Sequence, residues 1–224
     1  MPLIVYYHPT SQPSRTILAF LKINKIPYEE RIVDIFNLEH RTEEYKKVNP
    51  MGTVPFINDD GLVTWETEAI IKYLINTRKV GQELYPEEPK TRLLVDRYFP
   101  FHHTVMRPNA AIYFMATYSF LKPYCHFTQT KDEVRPNVIK ACEQFVDIFL
   151  KDQKFIAGDQ LTIADIFAAN ELTHIMYSTD FDFDVLPVVK AWIERVLENP
   201  IVAETQKAIK ELPELSKTLP KAKL

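Results

Sequence analysis

Glycine is scarce in this sequence, and its scarcity limits how the chain can bind a nucleotide. The four glycines, Gly52, Gly61, Gly81 and Gly158, are widely separated. Dinucleotide-binding turns and phosphate-binding loops both need closely spaced glycines, so that the backbone can approach the phosphates. Neither motif can be formed from these positions. The sequence therefore excludes nucleotide binding through a glycine-rich turn.

Cysteine, one-sided charge and long apolar runs are also lacking. Cys125 and Cys142 are too few for a disulfide framework, and the six histidines contain no His-x-x-x-His pair. A net charge of −3 provides no basic surface for nucleic acid or an anionic membrane. No apolar run approaches a membrane span, and the first ten residues lack a signal-peptide pattern. We expect an intracellular protein with no metal, nucleic-acid or membrane partner.

The first 80 residues alternate strand and helix signals. Asp60-Gly61 lies between two short apolar segments and favours a β-hairpin turn. Pro13 stands where the first turn of a helix is expected. The resulting βαβαββα order predicts a small α/β domain. Its predicted elements are strand Leu3–Tyr7, a helix from Pro13, strand Ile26–Val33, helix His40–Lys47, strands Val54–Ile57 and Leu62–Thr64, and helix Glu66–Asn76.

The remainder of the chain has helical periodicity only. We place the domain boundary near residues 78–90, with an α/β domain at 1–80 and an all-α domain at 88–224. Thr162 and Asp165 form a capping box, flanked by Leu161 and Ile166 as a hydrophobic staple. The predicted helices are Thr91–Phe120 (kinked at Pro100 and Pro108), Asp132–Leu150, Ile163–Tyr177, Leu186–Leu197 and Ile201–Glu211.

Six short motifs occur in a specific order along these two domains. They are Ser11–Arg15, Arg31–Asp34, Val48–Pro50 followed by Thr53–Pro55, Glu66–Ile70, Leu84–Pro86, and the capping box. Together they resemble the cytosolic glutathione transferases, most closely the theta class. The resemblance implies a thioredoxin-like N-terminal domain that binds glutathione as co-substrate and a helical domain that binds a hydrophobic electrophile. It also implies a homodimer.

Ser11 lies between a strand end and a helix start, where unpaired backbone N–H groups favour an anion. Its hydroxyl can donate a hydrogen bond to a thiolate. The alternative is that Ser11 only caps the helix, a position that serine often occupies. The resemblance implies that Ser11 is the catalytic residue. Tyr6 and Tyr7 keep a tyrosine alternative open, because other classes of the family use tyrosine.

Four further candidate residues lie after the second predicted strand, two in the following helix and two at the start of the third strand. The resemblance implies that His40 and Arg41 bind the glycyl carboxylate of glutathione, although a polar pair on a helix is often only solvated. It also implies that Val54, before a cis Pro55, pairs with the cysteinyl backbone of glutathione. The alternative for Pro55 is an ordinary edge-strand proline, because proline cannot donate to a central ladder.

Glu66 and Thr67 begin the last predicted helix of the α/β domain. A helix N-terminus stabilises a carboxylate, and Glu66 can pair with an ammonium group. The resemblance implies that both residues bind the γ-glutamyl end of glutathione. The alternative is a solvated helix start capped by Thr64 or Thr67.

The helical domain contains candidate residues for the electrophile. His103 and Arg107 are four positions apart and are expected on one helix face. The resemblance implies that Arg107 stabilises a departing anion, whereas the alternative is a structural ion pair. Four residues at helical spacing either line an apolar pocket or belong to the core: Met106, Phe114, Met115 and Tyr118.

The resemblance implies a glutathione transferase, in which the thiolate of bound glutathione attacks an electrophilic centre. The rival interpretation is a non-catalytic protein of the same fold that binds glutathione or hydrophobic ligands. A glutathione-dependent thiol reductase is disfavoured, because serines stand where its cysteine would be. We expect a cytoplasmic location. The terminal Ala222-Lys223-Leu224 is close to a Ser-Lys-Leu peroxisomal signal and supports import as an alternative.

Overall fold

The computed structural model describes residues 2–118 and 128–218 of the chain. Cys125, the tripeptide Ala222–Leu224 and the end of the helix predicted to reach Phe120 lie outside the described residues. The chain divides into two compact units, Met1–Gln82 and Glu83–Leu224. Among the helices of the described ranges, none combines the length and apolar character that crossing a membrane requires.

The first unit contains a four-stranded sheet in the order β2-β1-β3-β4. Strand β1 (Leu3–Tyr7) pairs in parallel with β2 (Glu29–Ile32) and antiparallel with β3 (Phe56–Asp59), which pairs antiparallel with β4 (Leu62–Trp65). Asp60 and Gly61 join β3 to β4 with positive φ angles, as the hairpin prediction requires. The predicted βαβαββα order is confirmed.

Two long helices carry the apolar side chains that cover this sheet. They are α1 (Gln12–Ile23) and α3 (Thr67–Arg78), which pack against each other, and a short helix α2 (Glu43–Val48) lies between them in sequence. The helix predicted at His40–Lys47 is wrong in its start, because Thr42 is extended and caps α2 through its hydroxyl. His40 instead lies in a separate 3-10 turn, Glu39–Arg41.

The second unit is helical, as predicted. Its predicted first helix is interrupted, because Pro108 has no N–H to donate to the turn before it and its ring crowds that turn. A π-helical segment, His102–Met106, occupies the interruption, and a second one, Val146–Leu150, ends α6. The helices are α4 (Pro89–Phe101), α5 (Arg107–Thr117), α6 (Lys131–Phe145), α7 (Ile163–Ser178), α8 (Pro187–Val196), α9 (Pro200–Glu204) and α10 (Lys207–Ser216).

Helix α7 is buried along most of its length, and its start is fixed by the predicted capping box. Asp165 is fully buried and accepts hydrogen bonds from the backbone N–H of Ile156 at 2.9 Å and from that of Thr162 at 2.9 Å. It also accepts from the Thr162 hydroxyl at 2.7 Å and the Trp192 indole at 3.1 Å. One carboxylate therefore joins the start of α7 to the preceding loop and to α8.

Candidate functional site

The strand register brings four chain segments to one end of the sheet. Tyr7 pairs with Ile32, and Tyr6 with Phe56, so β1 and β2 end where β3 begins. Phe56 pairs with Trp65, so β4 ends there as well. Four predicted sites adjoin this end: Ser11 after β1, His40–Arg41 after β2, Val54–Pro55 before β3 and Glu66–Thr67 after β4.

Ser11 is the N-cap residue of α1 and is partly exposed. Its hydroxyl oxygen accepts a hydrogen bond from the Ser14 N–H at 3.5 Å, which is long for such a bond. Ser11 therefore caps α1, and this hydrogen bond uses one lone pair of the hydroxyl oxygen. The hydroxyl hydrogen can still be donated to an acceptor outside the chain.

The turn that leads to Ser11 is held by buried polar side chains. The Arg15 guanidinium is fully buried and donates to the Thr10 carbonyl at 2.9 Å. The Ser14 hydroxyl accepts from the His8 N–H at 3.4 Å, and His8 Nδ1 lies 2.7 Å from the Thr10 hydroxyl oxygen. Burial lowers the pKa of His8 to about 4, so its imidazole is neutral at pH 7.

The two strand tyrosines have partners inside the sheet. The Tyr7 hydroxyl donates to the Glu30 carboxylate at 2.7 Å, and burial and this carboxylate raise the pKa of Tyr7. The Tyr6 ring stacks on Phe56 with ring centroids 4.1 Å apart. A tyrosine whose pKa is raised and whose proton is donated to a carboxylate is poorly suited to stabilise a thiolate. These contacts support Ser11 over the tyrosine alternative.

The Val54–Pro55 peptide bond is cis, and Pro55 precedes the strand rather than lying within it. The strand predicted at Val54–Ile57 is therefore wrong in its bounds, because the ladder begins at Phe56. The Thr53 carbonyl accepts from the Tyr45 hydroxyl at 2.7 Å and from the Asn49 amide at 2.8 Å. These bonds fix the loop that carries Val54, which is partly exposed.

Helix α3 begins without a side-chain cap. Glu66 is its N-cap residue, with φ of 69°, and its side chain makes no capping hydrogen bond. The capping alternative is wrong, because Thr67 is the first helical residue and the Thr64 hydroxyl donates to the Trp65 carbonyl at 3.4 Å. Positive φ is strained for a residue with a side chain. The exposed Glu66 thus stands beside backbone N–H groups that suit a carboxylate ligand.

One ring nitrogen of His40, Nδ1, is buried and lacks a hydrogen-bond partner among the described residues. Burial, followed by the charge of Arg41, lowers the pKa of His40, so the ring is neutral at pH 7. Gly52 lies close by, and a Cβ there would be 2.9 Å from the His40 carbonyl oxygen. The side chain of Arg41 is exposed.

In the helical unit, Arg107 forms an ion pair, as the structural alternative proposed, with a partner that the sequence did not reveal. Its guanidinium lies 3.1 Å from the carboxylate of Glu171, a fully buried residue of α7. The expectation that His103 and Arg107 share one helix face was based on α-helical spacing, and this stretch is instead π-helical. His103 is exposed, and His102 lies 3.8 Å from Glu171 instead.

The predicted apolar lining residues differ in burial. Met106 is 1% exposed and belongs to the core. The Phe114 ring packs against His174 with centroids 4.1 Å apart, and the Tyr118 hydroxyl donates to the Ser178 carbonyl. Phe114 and Met115 are partly exposed, so part of each side chain can contact a substrate.

In the described ranges, no group of three His, Cys, Asp or Glu side chains is placed to hold a metal ion.

Comparison with known proteins gives this arrangement a family. Residues 10–77 match the family profile "Glutathione S-transferase, N-terminal domain", and residues 109–200 match "Glutathione S-transferase, C-terminal domain". Glutathione S-transferase theta-1 of Rattus norvegicus is 31% identical over 208 residues, covering 88% of this chain and 82% of the relative. The chain belongs to the glutathione S-transferase family. Theta-2 of Rattus norvegicus is 31% identical over 234 residues, covering 98% of this chain and 93% of the relative.

Solved structures of glutathione S-transferases share the whole fold. Human glutathione transferase theta-2 in complex with glutathione superposes with a TM-score of 0.86 at 30% identity, covering 98% of this chain and 93% of that one. A human theta-class enzyme in complex with the glutathione conjugate of 1-menaphthyl sulfate gives a TM-score of 0.88 at 29% identity, covering 99% and 93%. The predicted thioredoxin-like and helical architecture is confirmed.

Proposed function

We propose that this protein is a theta-like glutathione transferase in which Ser11 stabilises the glutathione thiolate. The thiolate attacks an electrophilic carbon, so that a carbon–sulfur bond forms while the leaving group departs with its electron pair. The observation that carries the proposal is the convergence of four predicted binding segments at one end of the sheet. The thiol proton passes to solvent on binding, and no metal takes part.

We assign glutathione to the unit within residues 1–80. Its cysteinyl backbone pairs with Val54, which the cis bond to Pro55 leaves before the strand. The γ-glutamyl end binds Glu66 and the Thr67 backbone at the start of α3, and the glycyl carboxylate binds His40 and Arg41. The buried, unsatisfied Nδ1 of His40 supports this assignment, because a buried polar atom favours a partner.

We assign the electrophile to the helical domain within residues 88–224. Arg107 meets its anionic or departing group, and His103 lies near it. The apolar body of the electrophile contacts Phe114 and Met115, which are partly exposed, and the buried Met106 and Tyr118 support the site from the core.

The test combines binding with turnover. Glutathione binding is measured by calorimetry, and conjugation is followed with an arylmethyl halide, an arylmethyl sulfate and an epoxide. We expect saturable binding and acceleration of at least one reaction. Binding without acceleration of any would favour the non-catalytic binding protein. Absence of binding by the folded chain would contradict both interpretations.

We further propose a homodimer and a cytoplasmic location. Peroxisomal import through Ala222-Lys223-Leu224 is the alternative. Deleting the tripeptide from a fluorescent fusion tests it: an unchanged cytosolic distribution supports the cytoplasmic location, and loss of punctate fluorescence supports import.

A further inference from the structure

A fully buried carboxylate holds one end of a partly exposed guanidinium in the helical unit. Glu171 Oε2 lies 3.1 Å from Arg107 Nη1, and the two side chains are 0% and 37% exposed. A guanidinium has five N–H donors, so one contact leaves others that can reach an external anion. The buried Glu171 carboxylate thus fixes one edge of the guanidinium, while another part of the guanidinium is exposed to solvent.

The π-helical segment explains why Arg107 reaches this carboxylate. Its final hydrogen bond runs from the Arg107 N–H to the His102 carbonyl, five residues back. An α-helix would place residues five apart on different faces, whereas the wider π-turn brings them onto one side. His102 and Arg107 accordingly both approach Glu171, at 3.8 and 3.1 Å. The helix distortion thus turns two side chains toward one carboxylate.

The charges around Glu171 make Arg107 its cationic partner in this cluster. Burial, followed by the charge of Arg107, lowers the pKa of His102 well below its ordinary value. His102 is therefore neutral at pH 7, and its Nδ1 lies 3.1 Å from the Tyr98 hydroxyl. A buried carboxylate is costly unless a cation compensates it. The carboxylate thus restrains the guanidinium as well as accepting its hydrogen bond.

We propose that Glu171 is a positioning residue for the transferase reaction: it fixes the Arg107 guanidinium so that its outward N–H groups meet the anion that departs from the electrophile. The inference rests on the proposed function. It differs from the role proposed for Arg107 itself, because Glu171 is buried and touches neither substrate. The alternative is a purely structural ion pair, whose loss would lower the rate with every electrophile equally.

The experiment compares two electrophiles with the same arylmethyl group, one releasing sulfate and the other bromide. In each, the glutathione sulfur forms a bond to the methylene carbon, and the leaving group takes the electron pair of the broken bond. Wild type, Glu171→Gln, Arg107→Gln and the double variant are measured for kcat and KM. Asp180→Asn is the control, because it breaks another ion pair of this unit, with Lys131 at 2.5 Å.

We expect Glu171→Gln to lower kcat for the sulfate about tenfold, since a displacement near 1 Å at a reacting group can cost on the order of 10²-fold. KM for the sulfate should not rise, because removing the carboxylate makes the local potential more positive. The change in kcat for the bromide should be smaller than for the sulfate. In the Arg107→Gln background, the added Glu171→Gln should leave the sulfate-to-bromide ratio unchanged. Asp180→Asn should leave that ratio at the wild-type value.

Equal reductions of kcat for the sulfate and the bromide, accompanied by a lower melting temperature, would overturn the inference. They would show that the Glu171–Arg107 ion pair is only structural. Additive effects of the two substitutions on the ratio would also overturn the inference. The double variant removes both charges together and guards against a folding defect from an unpaired charge. If wild type binds glutathione but conjugates neither compound, the proposed function fails before the role of Glu171 is reached.

Discussion

At the scale of single residues, Glu66 combines backbone strain with a free acidic side chain. It holds a positive φ of 69°, and its carboxylate makes no capping bond. Residues with side chains adopt such φ values at a cost of about 1–3 kcal/mol, and these residues concentrate at ligand sites. In the proposed complex, this conformation places the Glu66 carboxylate where it can pair with the γ-glutamyl ammonium.

We expect Glu66→Gln to weaken glutathione binding about tenfold, because a hydrogen bond to a charged group contributes about 1.5–3 kcal/mol. Calorimetry at pH 7 gives the dissociation constant. Glu68→Gln is the matched control, since Glu68 pairs with Lys72 at 2.6 Å within α3. Equal affinities for Glu66→Gln and wild type would show that Glu66 does not contact the ligand.

His8 should make stability depend on pH. Its pKa is lowered from 6.5 to about 4 in the folded protein, so the unfolded chain binds the proton more readily. The stabilisation is present above pH 6.5 and is lost as the pH falls toward 4. Between pH 7.5 and pH 5 the loss should be about 2 kcal/mol.

Urea unfolding of wild type and His8→Asn at both pH values measures this contribution. The asparagine amide oxygen can replace Nδ1 as an acceptor but does not titrate in this range. The variant should lose less stability on acidification than wild type. Equal losses in the two proteins would exclude His8 as the group responsible.

At the scale of elements, Asp165 joins the start of α7 to its surroundings. Burial raises the pKa of Asp165 to about 6, while four hydrogen-bond donors favour its charged form. An asparagine has one acceptor oxygen and would leave donors unpaired. The bonds converge on one side chain, so this site is a structural centre of the helical unit.

Asp165→Asn should therefore lower the free energy of unfolding by about 2–4 kcal/mol. Chemical denaturation at pH 7.5 measures the change. The control Asp159→Asn alters an exposed acidic residue of the preceding loop and should have little effect. A variant of Asp165 as stable as wild type would contradict this description of the capping box.

The elements also show what a sequence can and cannot predict. The hairpin at Asp60–Gly61 and the capping box of α7 were predicted because local residue types determine them. The π-helical segment was not, because Pro108 predicts an irregularity but not its form. Glu171 was missed for a related reason: nothing in the sequence separates a buried carboxylate on a largely apolar helix from a solvated one, and its partner Arg107 is 64 positions away.

The candidate site was predictable to a similar extent. Ser11 and Glu66 stand beside helix starts that local signals reveal, although the start of α3 was displaced by one residue. The positions of His40 and Arg41 depend on a 3-10 turn that the helical pattern concealed. Their convergence with Val54 follows from the strand register, which pairs residues distant in sequence and cannot be derived from local propensity.

At the scale of the whole molecule, the proposed homodimer predicts a particle of about twice the 26.2 kDa chain mass. Sedimentation equilibrium over a wide concentration range measures that mass. We expect the dimer to persist at micromolar protein and to be independent of glutathione. A particle of monomer mass at every concentration would contradict the proposal without affecting the assignment of Ser11.

The chemical contribution of Ser11 is limited by the opposing effects of thiol acidity. A free thiol has a pKa of about 8.5, and one charge-assisted hydrogen bond of about 1.5–3 kcal/mol lowers it by roughly one to two units. A less basic thiolate is also a weaker nucleophile, with a slope of about 0.4–0.5. The net gain is only about threefold for a shift of two units. Positioning the thiolate beside the electrophile must supply the larger part of the rate enhancement.

The most direct test is the pH dependence of conjugation for wild type, Ser11→Ala and Ser11→Thr, with glutathione affinity measured alongside. We expect an apparent pKa of about 6.5 for wild type, raised by roughly one to two units in Ser11→Ala while glutathione still binds. Ser11→Thr, which keeps a hydroxyl, should restore part of the shift. An unchanged apparent pKa and rate in Ser11→Ala would show that another group stabilises the thiolate.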